Sequence, residues 1–246
     1  VSERSRIEMY LSKLYLIMND SSMSPLERAQ TSIMKLGKLD KNEVITPKIL
    51  VDKMISKLDE NDIKNAESIL EVNSKTCEFL VGIHEKYGKE IAKKVKVIAS
   101  SSMSKHFIKM ILKMLELDES NLIEINDTEN YNIKDFLDMD NNDILKENGG
   151  KKFDICLMNP PYGSTGGDTL HLRFVEKCLS VAKKQIVVMP FTFVTKVNNK
   201  PAQKYKEKFD KYLIEIQEED YKQFSNTNMP NVGIYVFDSN KKDSQD

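Results

Sequence analysis

The stretch FDICLMNPPYG, residues 153–163, decides how the rest of the chain is interpreted. It begins as an apolar run typical of a buried strand and stops at Pro160 and Pro161. Two consecutive prolines lack backbone N–H donors and have a fixed φ, so they do not continue a central strand. They instead hold the Asn159 side chain and the Pro160 carbonyl just past the strand, and the aromatic ring of Tyr162 follows immediately.

This corner suits the recognition of an exocyclic amine. An amine of this kind has two N–H donors, and the Asn159 carboxamide oxygen and the Pro160 carbonyl can accept one each. Those two bonds direct the nitrogen lone pair toward an electrophile without a strong base. Tyr162 offers a π-face on which a planar base can stack. The alternative is a proline-stiffened loop in which Asn159 forms a turn and Tyr162 packs.

Strand and helix patterns alternate on both sides of this corner, because short apolar runs are separated by stretches with helical periodicity. The predicted strands are residues 68–72, 95–99, 122–125, 153–157, 186–189, 212–216 and 232–237. The predicted helices between them are residues 76–87, 103–117, 169–183 and 202–211. This alternation predicts an α/β fold with a largely parallel sheet, whose ligands bind beyond the carboxyl ends of the strands.

The first forty residues have helical periodicity instead. Apolar residues recur at helical spacing from Ile7 onward, and Ser24 and Glu27 form a predicted capping box with Pro25 in the first turn. A further helix is predicted to open at Thr46 and Pro47. We therefore expect a small helical region over residues 1–43 ahead of the α/β domain.

Composition excludes several classes of protein. The chain of 246 residues carries 37 basic and 38 acidic side chains, a net charge of −1, which excludes a globally basic nucleic-acid-binding surface. Any such binding needs a local patch or a partner.

The three cysteines are far apart and form no CxxC, which argues against a disulfide framework and a zinc site, so no metal is expected. No apolar run approaches the roughly 20 residues of a membrane helix, and no signal-peptide pattern is present, so we expect a cytoplasmic protein.

From these residues, the sequence resembles the adenine-specific DNA methyltransferases that use S-adenosylmethionine, in the subgroup whose cofactor motifs precede an Asn-Pro-Pro-Tyr motif. The resemblance runs from roughly residue 44 to residue 237. It implies a Rossmann-like, seven-stranded mixed sheet over a catalytic domain of residues 44–246. It also implies methyl transfer to the exocyclic amine of adenine in DNA, as part of a restriction-modification system. Asn159, Pro160 and Tyr162 would then be catalytic, with Tyr162 also binding the flipped base.

The resemblance also implies a set of cofactor contacts. The segment VITPK (44–48) matches a Thr-Pro segment that closes over the methionine part of the cofactor, and ILEVNSKTCEFL (69–80) lies where the cofactor loop belongs. NIKDFL (132–137) is similar to a segment whose acid accepts from the cofactor's adenine, while IVVMPFTF (186–193) and NVGIYVF (231–237) resemble two later strands. The residues implied to bind S-adenosylmethionine are Thr46, Pro47, Glu71, Asn73, Ser100, Asp135, Phe136 and Asn159.

Two departures from the family pattern concern the cofactor. Lys75 and Cys77 stand where the cofactor loop has glycines, which elsewhere allow positive φ and close approach to the ligand. The second strand ends at Ser100 where an acid for the ribose hydroxyls is expected. A remodelled loop, with Lys75 directed to solvent and a small Cys77, would still admit the cofactor; a Cβ in the ligand's path would block it.

Substrate contacts are predicted after the Asn-Pro-Pro-Tyr motif. Arg173 and Lys196 are candidate DNA contacts, and so is Lys177, although a solvated face explains these positions equally well. Residues 164–168 form a loop that could cradle phosphate or order over a flipped base. Only nine residues follow the last predicted strand. We therefore expect target recognition to come from a removed region, from another subunit, or from the N-terminal helices, with DNA and a recognition or restriction subunit as partners.

Two other functions remain open at this point. The amine-binding geometry also serves methyltransferases that act on RNA bases or on protein glutamine, so the motif alone does not separate these substrates. The substitutions at Lys75 and Cys77 favour a different class, a catalytically silent subunit or binding module with a methyltransferase fold.

Overall fold

The computed structural model describes residues 3–36, 45–125, 131–162, 169–191, 193, 200–220 and 231–241. The strands are β1 (Ile69–Ser74), β2 (Val95–Ala99), β3 (Phe153–Met158), β4 (Ala182–Pro190), β5 (Leu213–Glu219) and β6 (Val232–Asp238). The helices before β3 are α1 (Glu3–Met18), α2 (Pro25–Leu36), α3 (Lys48–Ile55), α4 (Glu60–Asn65), α5 (Glu78–Tyr87), α6 (Lys89–Ala92), α7 (Ser102–Met114), α8 (Lys134–Asp138) and α9 (Asn141–Lys146). The helices after it are α10 (Leu170–Val181) and α11 (Lys200–Asp210).

The described strands form one mixed α/β sheet in the order β2-β1-β3-β4-β6-β5. β2, β1, β3 and β4 pair in parallel, while β6 is antiparallel to both β4 and β5. β1 and β3 are interior strands and are almost entirely buried. This burial accounts for the largely apolar sequence of β3, whereas β1 is buried although it carries Glu71, Asn73 and Ser74. β5 lies at an edge and exposes much of its length, as its acidic residues indicate.

The sheet has six strands among the described residues, and the seven-stranded expectation is wrong in its outermost strand. The run 122–125 makes a single parallel bridge, from Leu122 to Val97. The reason is a contact from elsewhere in the chain: the Asn121 side chain donates to the carbonyl oxygens of Lys93 (3.1 Å) and Val95 (2.7 Å), so a side chain occupies the start of the edge of β2 where a full strand would pair. The remaining predicted strands are confirmed, although β4 begins four residues earlier than predicted, directly after α10.

Helices pack in two groups around the sheet. α2 contacts both α5 and α7, and α3 packs on α5, while α10 contacts β4, α8 and α9. The predicted capping box opens α2, since the Ser24 N–H donates to Glu27 (2.7 Å) and the Glu27 N–H to the Ser24 hydroxyl (3.3 Å). Ala29 of α2 belongs to the main apolar core, so α2 helps to bury α5. Within the described ranges, every helix is too short or too polar to cross a bilayer.

Candidate active site at the carboxyl ends of β1, β2 and β3

The carboxyl ends of the neighbouring parallel strands β2, β1 and β3 lie side by side at one end of the sheet. β1 lies between β2 and β3, and the chain leaves β1 toward one neighbour and later returns on the other side. Val72 of β1 is paired with Met158 of β3, and Ser74 with Ala99 of β2. This is the topological switch point at which open α/β sheets bind ligands. The cofactor loop and the Asn-Pro-Pro-Tyr corner both start here.

The loop from β1 to α5 keeps left-handed backbone conformations without glycine. Asn73 has φ 62° and Cys77 has φ 59°. The pairing of β1 with β2 shifts in register at Asn73, as at a bulge. Cys77 occupies the second predicted glycine position and precedes α5, and its N–H donates to the Ser74 hydroxyl (2.8 Å). The backbone is therefore left-handed at Cys77, where the resemblance predicts a glycine.

Lys75, at the first predicted glycine position, does not point to solvent, which was one of the two alternatives for this loop. Its side chain is 8% exposed, and its ammonium donates to the Asn73 carbonyl at 3.3 Å. The aliphatic part of the side chain is removed from water and the charge lies over the end of β1. Lys75 is thus part of the inner surface of the loop.

Glu71, the predicted acid of the cofactor loop, is fully buried in β1. Its Oε2 accepts from the Leu80 N–H in the first turn of α5 at 2.8 Å. Burial, together with the nearby Glu78 carboxylate, raises the pKa of Glu71 to about 8, which favours the neutral acid at pH 7. Burial also raises the pKa of the Cys77 thiol well above its ordinary value, so this cysteine is a packing residue.

Buried oxygens without partners occur in this loop and in the two elements that it joins. Glu71 Oε1, Thr76 Oγ1 and Glu78 Oε1 accept no hydrogen bond within the described part of the chain. Buried polar atoms nearly always have a hydrogen-bond partner. Three unpartnered oxygens so close together in sequence therefore fit a site that is completed by a polar ligand or by water. The loop therefore has the unused acceptors that a cofactor with amino and hydroxyl groups requires.

The end of β2 is joined to the segment that carries Asp135. The Ile133 N–H donates to the Ser100 carbonyl (3.1 Å), and the Tyr131 hydroxyl donates to the Ala99 carbonyl (2.9 Å). Asp135 is half-buried, and its carboxylate accepts from the Asn132 N–H at 3.1 Å. These bonds bring Ser100 and Asp135 to the same side of β1. Both are predicted cofactor residues, and the geometry brings them together.

Phe136, also predicted to bind cofactor, has a fully buried side chain that stacks on Phe174 of α10, with ring centroids 6.0 Å apart. Lys177, one turn further along α10, donates to the carbonyls of Leu137 (3.4 Å) and Met139. Lys177 therefore stabilises the carboxyl end of α8 in this structure and does not lie on a solvated face. The contacts of Phe136 and Lys177 therefore hold the segment that carries Asp135 against α10.

The Asn159 side chain is held from outside its own turn. Its Nδ2 donates to the Thr46 hydroxyl at 3.1 Å, and its backbone carbonyl accepts from the Asn73 side chain at 2.6 Å. Thr46, 4% exposed, precedes α3, for which Pro47 is the N-cap residue. No donor in the described ranges bonds to the Asn159 Oδ1, which leaves that oxygen for a ligand. The bond between Asn73 and Asn159 had no signal in the sequence.

Tyr162 and the two prolines complete the corner. Pro160 is buried, and Tyr162 is half-buried with its hydroxyl donating to the Val188 carbonyl of β4 at 3.1 Å. The ring of His171 meets the Tyr162 ring edge to face, with centroids 6.0 Å apart. A ring anchored at its hydroxyl and against an imidazole has a fixed plane, as a stacking platform requires.

Of the predicted DNA contacts, Arg173 lies exposed on α10. Lys196 and the loop 164–168 lie outside the described residues. Sequence reasoning missed Glu78 as a possible ligand-binding residue, because an acid in the first turn of a helix is ordinarily explained by the helix dipole.

No protein-family model matches the chain, and no curated protein matches it. Solved structures do match. The methyltransferase subunit of a type I restriction-modification system from Streptococcus thermophilus is 15% identical with a TM-score of 0.65, covering 90% of this chain and 51% of that one. The M protein of the type I restriction enzyme EcoKI is 12% identical with a TM-score of 0.55, covering 94% and 54%.

A Listeria monocytogenes protein described as a class I S-adenosylmethionine-dependent methyltransferase is 14% identical with a TM-score of 0.58, covering 94% of this chain and 71% of that one. The chain has the fold of these methyltransferases. The chain spans about half the length of the two type I subunits.

Proposed function

We propose that the protein transfers a methyl group from S-adenosylmethionine to the exocyclic amino group of adenine in DNA, within a restriction-modification system. The observation that carries the proposal is the tethering of Asn159. Its amide nitrogen is bonded to Thr46 and its backbone carbonyl to Asn73, so its Oδ1 is held at the switch point of the sheet.

The residues of the corner have separable tasks. The Asn159 Oδ1 and the Pro160 carbonyl each accept a hydrogen bond from one N–H of the target amine. These two bonds orient the lone pair of the amine nitrogen. Tyr162 stacks under the flipped base, and its bond to Val188 keeps the ring from following the base as it leaves. Positioning of this kind is the main contribution, since no strong base is needed when the electrophile is already reactive.

The cofactor, when bound, supplies an electrophilic methyl group on a sulfonium. The residues proposed to hold it are Ser100 and Asp135 at the end of β2, and the β1–α5 loop with its unused acceptors. Thr46 is proposed to close the site, since it is already bonded to Asn159. A serine hydroxyl binds ribose more weakly than a carboxylate, so Asp135 carries more of the adenosine binding than Ser100.

DNA and adenine as substrate rest on the motif and on what the similar structures are named. The type I subunits that resemble this chain are parts of restriction-modification systems, and the chain spans about half of their length. We therefore propose that a recognition or restriction subunit, or a further domain, supplies the target sequence. The net charge of −1 agrees with a partner that provides much of the DNA contact.

The test is Asn159→Ala in the intact protein, assayed with labelled S-adenosylmethionine against DNA, RNA and protein fractions. We expect label in DNA with the wild type and at least about a thousandfold less with the variant, because orientation of the amine is lost. Cofactor affinity should stay within a factor of two or three.

Asn142→Ala, at an exposed position in α9, is the matched control and should retain activity. Normal DNA methylation by the Asn159 variant contradicts the proposal, and label in RNA or protein alone reassigns the substrate.

One observation favours a second candidate, a silent module with a methyltransferase fold. The Lys75 side chain is buried at a position where the resemblance implies a glycine, which has no side chain. Calorimetric titration of the protein with S-adenosylmethionine separates the two candidates. Micromolar binding supports the enzyme, and the absence of heat up to millimolar cofactor supports the module.

A further inference from the structure

A cavity of about 250 Å³ lies between α2, α3 and α5. Its walls are apolar, with Ile33 from α2, Val51 from α3 and Val81 from α5 among the lining residues. At its edge the Lys48 ammonium is bonded to both Asp52 (2.9 Å) and Glu85 (2.6 Å). The acids at the edge therefore already have a cation.

Glu78 contributes a different kind of acid to the same cavity. Its side chain is 5% exposed, and Oε2 accepts from the Ser74 hydroxyl (3.3 Å) and the Lys75 N–H (3.4 Å). Oε1 is buried and accepts no hydrogen bond from the described part of the chain. A buried carboxylate oxygen of this kind costs free energy unless a donor reaches it, and a cationic donor compensates best.

The cavity adjoins the proposed point of methyl transfer. Thr46 lines it and also accepts the hydrogen bond from Asn159 at 3.1 Å. A sulfonium carries three carbon substituents: the methyl group, the ribose carbon and the chain that ends in the α-amino acid. The methyl group would face Asn159 and the adenosine would be held by Ser100 and Asp135, which leaves Thr46 and the cavity beside it for the third substituent.

We propose that Glu78 binds the α-ammonium group of S-adenosylmethionine, whose amino-acid end occupies the cavity between α2, α3 and α5. This inference rests on the proposed function, of which it specifies the cofactor-binding residue. Apolar walls suit the two methylene groups of the chain, and the Glu78 carboxylate supplies the counter-charge.

Glu71, the acid at the expected family position, is less suited to this role. It has no exposed surface, one of its oxygens is bonded to the Leu80 N–H, and burial raises its pKa to about 8. A neutral acid inside the sheet gives an ammonium group no counter-charge. Glu78 therefore replaces it as the partner of the ligand, while Glu71 fixes the start of α5.

The experiment compares three ligands by calorimetry on the intact protein: S-adenosylhomocysteine, its des-amino analogue, which keeps the carboxylate, and 5′-methylthioadenosine, which has no amino acid. We expect the wild type to bind S-adenosylhomocysteine about tenfold or more tighter than the des-amino analogue, as for a charge-assisted hydrogen bond. In Glu78→Gln that ratio should fall to near one. Affinity for 5′-methylthioadenosine should be unchanged, which also shows that the variant is folded.

Glu90→Gln is the control, since it makes the same change at an exposed position in α6, outside the cavity. It should keep the wild-type ratio. An unchanged ratio in Glu78→Gln overturns this inference and leaves the proposed function standing. A wild type that binds neither S-adenosylhomocysteine nor 5′-methylthioadenosine overturns both.

Discussion

The loop after β1 and the corner after β3 meet at one point of the sheet and maintain their shapes by different means. The corner is fixed covalently, because two prolines restrict φ and remove N–H donors whatever surrounds them. The loop is fixed by its contacts: Cys77 is held at φ 59° by a hydrogen bond from its N–H to Ser74 and by complete burial.

This difference explains why one region matches the motif on which the sequence resemblance rests and the other departs from it. No other residue type reproduces a proline corner. A left-handed turn can be held by a non-glycine residue at a cost of about 1 kcal/mol, provided that the surroundings enforce it. The two regions are linked by the bond from the Asn73 side chain to the Asn159 carbonyl, so a change in the loop reaches the corner.

The largest expected effect is on the pH dependence of stability, and it comes from Glu71, the buried acid of β1. The folded-state pKa of Glu71 is about 8, against an ordinary value of 4.5. Between these values the native state binds more protons than the unfolded chain, so the free energy of unfolding falls as pH rises, by up to about 1.4 kcal/mol per pH unit. Glu71→Gln should remove that slope and be more stable than the wild type at pH 9. Urea unfolding at pH 5, 7 and 9 measures this.

The exposed Glu67, just before β1, provides the control for this experiment. Glu67→Gln should retain the wild-type slope. If Glu71→Gln also retains it, the carboxyl is not the source of the pH dependence, and the loop is held by contacts that do not titrate.

A second experiment applies the same substitution on the two sides of the comparison. Cys77→Val places a β-branched side chain at positive φ and should destabilise the protein by about 2 kcal/mol. Cys156→Val, in the central strand β3, adds the same volume at a fully buried site where the backbone is extended, and should cost less. Denaturant midpoints of the two variants test this, and equal losses would show that overpacking, not backbone strain, limits the loop.

The corner and most of the sheet could be predicted from sequence because their signals are local. β3 is a six-residue run, FDICLM, which is followed after Asn159 by two prolines, and β2 was predicted to the residue. The failure at residues 122–125 has a non-local cause. These residues are apolar enough for a strand, but the Asn121 side chain bonds to the edge of β2, and no property of the run reveals that.

The loop was harder to predict for the same reason. The sequence indicates that Lys75 and Cys77 replace glycines, but their burial and φ are set by contacts with the end of β1 and with the start of α5. The sequence left the direction of Lys75 open, and in the structure its ammonium lies 3.3 Å from the Asn73 carbonyl. Asp135 and Ser100 were each predicted separately, and the segment between them, through Tyr131 and Ile133, brings them together.

The smallest expected effect tests the tether that orients the corner. Thr46→Val keeps the shape of a side chain that is 4% exposed and removes the oxygen that accepts from the Asn159 Nδ2. The carboxamide then has an unpaired donor and can rotate, so turnover at saturating cofactor should fall about tenfold, the equivalent of about 1.4 kcal/mol. Thr46→Ser keeps the hydroxyl and should retain most of the activity. If valine and serine behave alike, prolines alone hold Asn159, and the corner does not depend on the helical segment that packs beside it.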